Sequence, residues 1–296
     1  MSATTIAFLN FKGGVGKTAT TVNLAAALAH YHQQRVLIVD LDPQCNASFW
    51  LMPPADWKAH VDGGRHSSFQ IFQDEIMGTH RFDFDKAVVR AVPRKGGISM
   101  ISRLDILPAA VQLITIEDRI HQNKYARFFE FLYKALKPHY KDYDYIFFDC
   151  PPNVYSISKN ALYAAENCVV PYVPDFLSLS GFQLLAEQIE QFNDRISGFK
   201  GLRRRASIVG LLASHYKASK THDQGLNELE VTLGRLKSEG LTHHEAKLLL
   251  PPIRHLADVS ESTNEHLPVI LHKPNGLGAE DYSKLAKSFH QHFQSL

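Results

Sequence analysis

Short runs of apolar residues are the most regular feature of the chain. Each is five to seven residues long and apolar almost throughout, without the alternation of apolar and polar positions that a half-exposed strand shows. Such runs are typical of strands in a sheet that is covered on both faces. The runs that we predict as strands are Ile6–Asn10, Val36–Asp40, Tyr145–Asp149, Cys168–Val173 and Ile208–Ser214.

Stretches with the apolar spacing of helices lie between and after these runs. A chain that alternates strand and helix in this way favours an α/β fold, doubly wound, with a mostly parallel sheet flanked by helices. The stretches that we predict as helices are Ala19–His30, Ala109–Lys137, Ser156–Glu166, Gly181–Phe192, Gly225–Ser238 and Glu280–Phe293.

Residues 53–97 break this regularity. They contain the dipeptides Pro53-Pro54, Gly63-Gly64 and Gly96-Gly97, which interrupt regular structure. No change of composition marks a domain boundary elsewhere. We therefore predict one domain over residues 1–296, with an irregular excursion at 53–97.

The composition describes an ordinary soluble protein, with 45% hydrophobic and 21% charged residues. A net charge of +2 means that any nucleic-acid surface must come from local clustering of cations. Three cysteines without a CxxC spacing suit a reducing cytosol, and the first predicted strand leaves no room for a signal peptide. No run reaches the ~20 apolar residues that a membrane span needs. We expect a cytoplasmic protein.

The first predicted strand runs into a glycine loop, Lys12-Gly13-Gly14-Val15-Gly16-Lys17-Thr18, which opens a helix. Glycines let backbone N–H groups turn around an anion, and the helix N-terminus adds partial positive charge. Lys17 is placed to reach the terminal phosphates of a nucleotide, and the Thr18 hydroxyl to ligate magnesium. The alternative, a simple glycine turn between strand and helix, leaves this strand–loop–helix pattern unexplained.

The loop departs from the usual P-loop in having Phe11 where a glycine is common, and a second lysine, Lys12, at its start. This twin-lysine loop resembles the deviant Walker A motif of the ParA/MinD family, and of ParA-type partition proteins of the small type without an N-terminal helix-turn-helix domain. The resemblance, which spans residues 4–293, implies a deviant Walker A P-loop NTPase fold with ATP and Mg²⁺ as cofactors. It also implies that Lys12 reaches a partner subunit's nucleotide in an ATP-dependent homodimer. The nucleotide-binding residues that it implies are Lys12, Gly13, Gly14, Val15, Gly16, Lys17, Thr18, Ala19 and Pro252.

Two acidic residues follow the second predicted strand, in the order Asp40-Leu41-Asp42-Pro43-Gln44. Ligand groups in open parallel sheets sit at the carboxyl ends of strands, so Asp40 should emerge beside the loop. Taken alone, an Asp after a buried strand is usually a helix or turn cap. Together with the loop, the string resembles the family's second acidic motif, which implies that Asp40 serves hydrolysis with Lys12 and Lys17. Asp42 then supports the metal from nearby.

The third predicted strand ends in Asp149, followed by Cys150-Pro151-Pro152. Apolar residues leading to one Asp form a weak Walker B signature. The continuation resembles the family's switch segment, which implies that Asp149 holds magnesium, through water, beside Thr18. Cys150 could be a reactive or cluster-ligating thiol, but a small buried residue is the simpler interpretation.

Seven cations and no acid fall between Arg195 and Lys220. Such a segment could neutralise several DNA phosphates and give salt-sensitive, sequence-independent binding, or it could be a solvated loop face. The ParA resemblance favours DNA. The residues that we expect to bind it are Arg203, Arg204, Arg205, Lys217 and Lys220. His215-Tyr216-Lys217 stands where the family often has Met-Tyr-Asp, so the base pocket and the DNA surface are expected to differ in detail.

Together these features predict a dimerising ATPase with weak intrinsic activity. It would bind non-specific DNA, associate with the nucleoid, and partition a plasmid or chromosome, with hydrolysis stimulated by a ParB-like or other adaptor protein. The alternative is a positioning ATPase for a protein cargo or a membrane surface. The tail from Ser283 to Leu296 could be an interfacial helix, but we expect it to dock on its own domain, without a membrane partner. An iron–sulfur electron-transfer ATPase and a small-molecule synthetase on the same fold remain as other classes.

Overall fold

The computed structural model describes residues 2–62, 66–123, 125–202 and 204–296. In these residues a seven-stranded sheet has the order β5-β2-β6-β1-β7-β8-β9, and each neighbouring pair is parallel. A small antiparallel hairpin, β3–β4, stands apart from it. The strands are β1 Thr4–Phe8, β2 Val36–Asp40, β3 Arg94–Lys95, β4 Ile98–Ser99, β5 Leu104–Leu107, β6 Tyr145–Asp149, β7 Asn167–Tyr172, β8 Ser207–Ala213 and β9 Lys247–Leu249.

Helices cover both faces of the sheet. They are α1 Lys17–Tyr31, α2 Asn46–Leu51, α3 Pro54–Val61, α4 Ser68–Met77, α5 Phe84–Ala87, α6 Ile116–Asn123, α7 Phe131–Leu136, α8 Ser156–Ala165, α9 Phe176–Ser197, α10 Lys220–Ser238, α11 Ala257–Asn264, α12 Val269–His272 and α13 Leu277–Ser295. This arrangement confirms the predicted doubly wound α/β fold. The five predicted strands are present with ends shifted by no more than two residues.

Successive residues of the central strands face opposite sides of the sheet, as the period of a strand requires. Ala7 therefore packs in the core beneath α8 and α9, whereas Ile6 and Phe8 pack in the core beneath α1 and α13. Burial on both faces is the reason that these strands are apolar throughout.

The helix predicted at Ala109–Lys137 is wrong as a single element. The structure has α6 and α7 there, with short 3₁₀ segments before, between and after them. Near the start of α7, the side chain of Asn160 of α8 donates to the Phe128 carbonyl at 2.9 Å and accepts from the Leu132 N–H at 3.1 Å. These backbone groups are thus satisfied by a neighbouring helix.

The C-terminal helix α13 is docked on its own domain, as expected. Leu285 and Phe289 are fully buried, and α13 packs against α1 and α12. Its apolar face therefore belongs to the core and is not offered to a lipid surface. Within the described ranges, we find no helix with both the length and the apolar character to cross a bilayer.

The region predicted as an irregular excursion, 53–97, contains three helices, α3 to α5, and the strand β3. Gly63 and Gly64 lie outside the described residues. Trp57 of α3 donates its indole N–H to the Ala109 carbonyl at 2.9 Å, and Val89 exchanges hydrogen bonds with Ile106 of β5. The region therefore packs against the outer edge of the sheet.

Candidate nucleotide site

The glycine loop lies at the carboxyl end of β1 and turns into α1. Gly14 and Gly16 have φ values of 73° and 71°, a left-handed conformation that costs glycine little. A Cβ at Gly16 would lie 3.2 Å from both the Cβ and the Oγ of Ser214, so the loop packs closely against the end of β8. On the other side, a Cβ at Gly13 or Gly14 would meet no atom within 4 Å. That open side is where an anion fits against the loop N–H groups.

The two lysines of the loop occupy different environments. Lys17 is only 8% exposed, and its Nζ donates to the Lys12 carbonyl at 3.1 Å. Burial lowers the pKa of Lys17, although Asp149 and Asp42 partly offset that effect. Lys12 keeps 41% of its side chain exposed, and its Nζ lies 3.0 Å from Asp175 Oδ2, just before α9. The structure therefore separates an inner lysine from an outer one.

Asp149 meets the start of α1 because the strand ends are level. It pairs in register with Phe8 of β1 and Asp40 of β2. The Thr18 hydroxyl donates to Asp149 Oδ2 at 2.8 Å, and the Thr21 hydroxyl to Oδ1 at 3.1 Å. Burial raises the pKa of Asp149 above its ordinary value. A hydroxyl next to a buried carboxylate is an oxygen donor set that suits Mg²⁺.

The two aspartates at the end of β2 have different surroundings. Asp40 is fully buried; its Oδ2 accepts from the Ser48 N–H at 2.9 Å and the Ser48 hydroxyl at 2.6 Å, and its Oδ1 from the Asp42 N–H at 3.2 Å. Burial, with Asp149 nearby, raises its pKa. Asp42 is 8% exposed and close enough to Lys17 to raise that lysine's pKa. Both oxygens of Asp40 are thus held, whereas in the described residues Asp42 accepts only at Oδ1, from the Gln44 N–H at 2.9 Å.

A cavity of about 270 Å³ adjoins the loop. Its walls include Gly16, Ala19, Ser214, His215 and the Ile253–His255 segment. The cavity therefore extends from the glycine loop to the end of β8 and the segment after β9, and a nucleotide bound at the loop would have room there for its sugar and base. Pro252, expected to bind nucleotide, directly precedes Ile253 in this wall, and its part in nucleotide binding stays a prediction.

The predicted basic segment does not form one surface. Arg204 and Arg205 precede β8, whereas Lys217 and Lys220 follow it, and a strand of its length separates them by about 23 Å. Arg203 lies outside the described residues. The two described arginines are engaged: Arg204 pairs with Glu166 at 3.0 Å and lies over the Tyr133 ring at 4.1 Å, and Arg205 pairs with Glu190.

Lys217 and Lys220 are exposed. In the part of the chain that the structure describes, neither has a carboxylate within salt-bridge distance. Of the expected DNA-binding residues, these two have the free charge that binding phosphate requires. The nearby Asp223 accepts from the Tyr216 hydroxyl at 2.7 Å.

The cysteines are buried. Cys45, Cys150 and Cys168 are 0%, 1% and 0% exposed, and burial raises the pKa of each thiol well above its usual range. Cys150 is therefore a small core residue, as the simpler interpretation has it. Thiols in these positions cannot share a cluster across a subunit surface.

Several site residues were missed by the sequence reasoning. Ser48 binds Asp40 from eight residues away, Asp175 pairs with Lys12, and His255 meets His215 across 40 residues. These pairings depend on tertiary contacts and leave no local pattern. Thr21 did leave a signal, because it follows Thr18 by three residues and so lies on the same face of α1.

Known proteins match nearly the whole chain. The AAA domain family matches residues 3–199. The sporulation initiation inhibitor protein Soj of Bacillus subtilis is 31% identical over 285 residues, which cover 95% of this chain and 96% of Soj. A ParA family protein of Chlamydia muridarum is 28% identical over 286 residues, covering 96% of each chain. The solved structure of apo McdA from Cyanothece shares the fold, with a TM-score of 0.72, 18% identity and coverage of 98% and 99%.

Proposed function

This chain belongs to the ParA/MinD type of P-loop ATPases, and we propose that ATP switches it between a monomer and a face-to-face dimer. It is an ATPase of the class that partitions or positions cargo. In the proposed cycle, the triphosphate-bound dimer holds its cargo and hydrolysis releases it. The following paragraphs give the residues that support each step.

The separation of the two lysines carries the proposal. Lys17 is buried against its own loop, where it can neutralise only the nucleotide bound there. Lys12 lies at the exposed start of the glycine loop, where an ion pair with Asp175 holds it. Exposed pairs of this kind contribute about 0–1 kcal/mol, so Lys12 can leave Asp175 at little cost. A second copy that presents its phosphates would offer Lys12 a stronger partner.

The remaining residues supply binding and orientation for hydrolysis. The backbone N–H groups of the glycine loop would hold the phosphates on its open side, where a Cβ at Gly13 or Gly14 would meet no atom within 4 Å. Thr18 and Asp149 would hold Mg²⁺, which when bound neutralises charge between the phosphates. We assign alignment of the attacking water to Asp42, because both oxygens of Asp40 accept hydrogen bonds, whereas in the described residues Asp42 accepts only at Oδ1, from the Gln44 N–H at 2.9 Å. Such catalysis rests on positioning and electrostatics.

We further propose non-specific DNA as the cargo surface, contacted through Lys217 and Lys220 and presented twice in a dimer. Both lysines are exposed at the carboxyl end of the sheet, the end that also carries the nucleotide site. The DNA surface and the nucleotide site both lie at the carboxyl ends of the strands. DNA binding would therefore respond to the bound nucleotide. A ParB-like or other adaptor would stimulate hydrolysis and so release the DNA.

Retention on random-sequence duplex DNA tests the cargo. With Mg²⁺ and ATP we expect retention that falls steeply with salt, and we expect little retention with ADP. The double variant Lys217→Gln/Lys220→Gln should lose most of it. Lys141→Gln, which removes an exposed lysine far from this edge, is the matched control. Equal retention with ATP and ADP, or in the double variant and wild type, would exclude this surface and leave a protein cargo as the alternative.

A further inference from the structure

Two histidines stand side by side at the mouth of the cavity next to the glycine loop. The Nδ1 atoms of His215 and His255 are 2.9 Å apart, and their ring centroids 5.2 Å. A Cβ at Gly16 would lie 3.4 Å from His215 Nε2, so that nitrogen abuts the phosphate loop. His215 belongs to the segment in which the sequence departs from Met-Tyr-Asp, and the nucleotide chemistry derived so far leaves it without a part.

The backbone fixes this pair. His215 has a φ of 50°, a left-handed conformation that few non-glycine residues adopt. On either side of the pair, the Tyr216 N–H donates to the Ile253 carbonyl and the His255 N–H to the Tyr216 carbonyl, each at 2.9 Å. Two chain segments 40 residues apart are thereby clamped with their imidazoles in contact. The pairing is therefore a property of the fold and not of free side-chain rotation.

The short Nδ1–Nδ1 distance limits the protonation states of the pair. One Nδ1 must donate and the other accept, so at least one ring keeps an unprotonated Nδ1. The neutral pair satisfies this condition. A pair with one added proton satisfies it too, because an imidazolium at His215 can still donate from Nδ1 to His255. A second added proton would place two donors face to face and break this hydrogen bond.

In the free protein, the surroundings of His215 disfavour its protonation. Burial lowers the pKa of His215 from its ordinary value of 6.5, and His255 and Lys217 lower it further. The other charged groups nearby are engaged: Arg254 is held by Asp281 and Glu280, and His222 accepts from the Lys217 N–H. Lys17 on the loop is also cationic. In the described residues no carboxylate bonds to either imidazole. The negative charge that stabilises an imidazolium here must therefore come from a bound anion.

We infer that His215 is a nucleotide-contact residue that takes up one proton as phosphates bind to the loop, and that His255 is its positioning residue. The inference rests on the proposed binding of nucleotide at this loop. His215 Nε2 lies against the packed side of the loop at Gly16, so phosphates bound on the open side act on it across the loop, and their negative charge favours the imidazolium. The pKa of His215 is then higher in the complex than in the free protein. The gain in affinity is complete below the free-protein value, and is lost as the pH rises through the value of the complex.

Calorimetry of Mg²⁺–ADP binding tests this linkage, with titrations between pH 6 and 8 in buffers of different ionisation enthalpy. We expect wild type to take up close to one proton more than His215→Gln near pH 6.5. Its affinity should rise about tenfold from pH 8 to pH 6 for each unit by which the pKa is raised, beyond the change in His215→Gln. Protonation of the nucleotide itself is the same for every variant and cancels in the comparison.

Variants of His255 separate positioning from simple packing. His255→Gln keeps an acceptor for His215 and should retain the proton uptake, whereas His255→Ala should reduce it, with thermal melting confirming that both fold. His244→Gln, which changes an exposed histidine elsewhere, is the matched control. Equal proton uptake by wild type and His215→Gln would overturn the inference while leaving nucleotide binding intact. Failure of wild type to bind Mg²⁺–ADP or Mg²⁺–ATP at any pH would overturn the proposed function as well.

Discussion

Two aspartates, two residues apart, show how burial gives the same side chain different chemistry. Asp40, the last residue of β2, is sealed beneath α2 and held by Ser48. Asp42 lies two residues beyond the strand, is 8% exposed, and acts to raise the pKa of Lys17. The sequence could place both near the phosphates but could not tell them apart, since the distinction depends on where α2 packs. We therefore expect Asp40 to support the site and Asp42 to act in it.

Substitution of each aspartate by alanine should separate these parts. Asp42→Ala should fold normally and bind ATP, while its turnover falls about a hundredfold or more, as expected when a water-orienting group is removed. Asp40→Ala should lower stability by about 2–4 kcal/mol, because Ser48 and the Asp42 N–H lose a buried acceptor. Thermal melting and phosphate release measure the two effects. Unchanged melting of Asp40→Ala, or full turnover by Asp42→Ala, would contradict the assignment.

The inner lysine can be tested by nucleotide affinity alone. Lys17→Ala should weaken binding of Mg²⁺–ATP to the monomer by about 10- to 100-fold, the factor for loss of a charge-assisted contact of 1.5–3 kcal/mol. Fluorescence of a labelled nucleotide measures this effect. Because Lys17 is buried, Lys17→Met, which keeps the apolar stem, is the control for a packing defect. Wild-type affinity in both variants would show that Lys17 does not contact the nucleotide.

At the scale of elements, the sequence pattern predicts the central strands well. It predicts poorly the segments whose structure depends on contacts with neighbouring elements. Buried strands can be recognised in the sequence because both of their faces must be apolar. The backbone at the start of α7 bonds to Asn160 of another helix, and the edge strands β5 and β9 are too short to be recognised in the sequence. The turn after α4 is a similar case. Its geometry depends on Asp74, whose side chain gathers the donors of the following residues.

Asp74 is 7% exposed and accepts from Thr79, Gln70, and the N–H groups of Arg81 and Phe82. Burial alone would raise its pKa, but these hydrogen bonds lower it below the ordinary 3.8. Asp74→Asn should therefore cost about 2–4 kcal/mol at neutral pH, because its amide would face donors. A carboxylate with a lowered folded-state pKa stabilises above pH 3.8 and loses that effect as the pH falls through the folded-state value.

Urea unfolding of Asp74→Asn at several pH values measures this contribution. The difference from wild type should be largest near pH 7 and should shrink below pH 3.8. Glu75→Gln, an exposed neighbour on the same helix, is the control and should change stability by less than about 0.5 kcal/mol. A difference that persists undiminished into acid would mean that the charge on Asp74 does not hold the turn.

At the scale of the molecule, the parallel sheet brings residues from distant parts of the sequence to one edge. The glycine loop, Asp149 and the lysines after β8 all follow carboxyl ends of strands, and so could be expected to meet. The sequence did not indicate that β8 divides the basic segment. Arg204 and Arg205 therefore lie at the amino ends of the strands, opposite the glycine loop. Cations that are close in sequence do not form one surface when a strand lies between them.

The central claim is that the outer lysine joins two copies around bound triphosphate. Sedimentation velocity of wild type and Lys12→Ala, each with Mg²⁺ and either a slowly hydrolysed ATP analogue or ADP, tests it most directly. We expect wild type to shift from the 33.4 kDa monomer to a dimer with the analogue and not with ADP. Lys12→Ala should bind the analogue and remain a monomer. A wild-type chain that stays monomeric with saturating analogue, or a Lys12→Ala chain that dimerises equally well, would contradict the account.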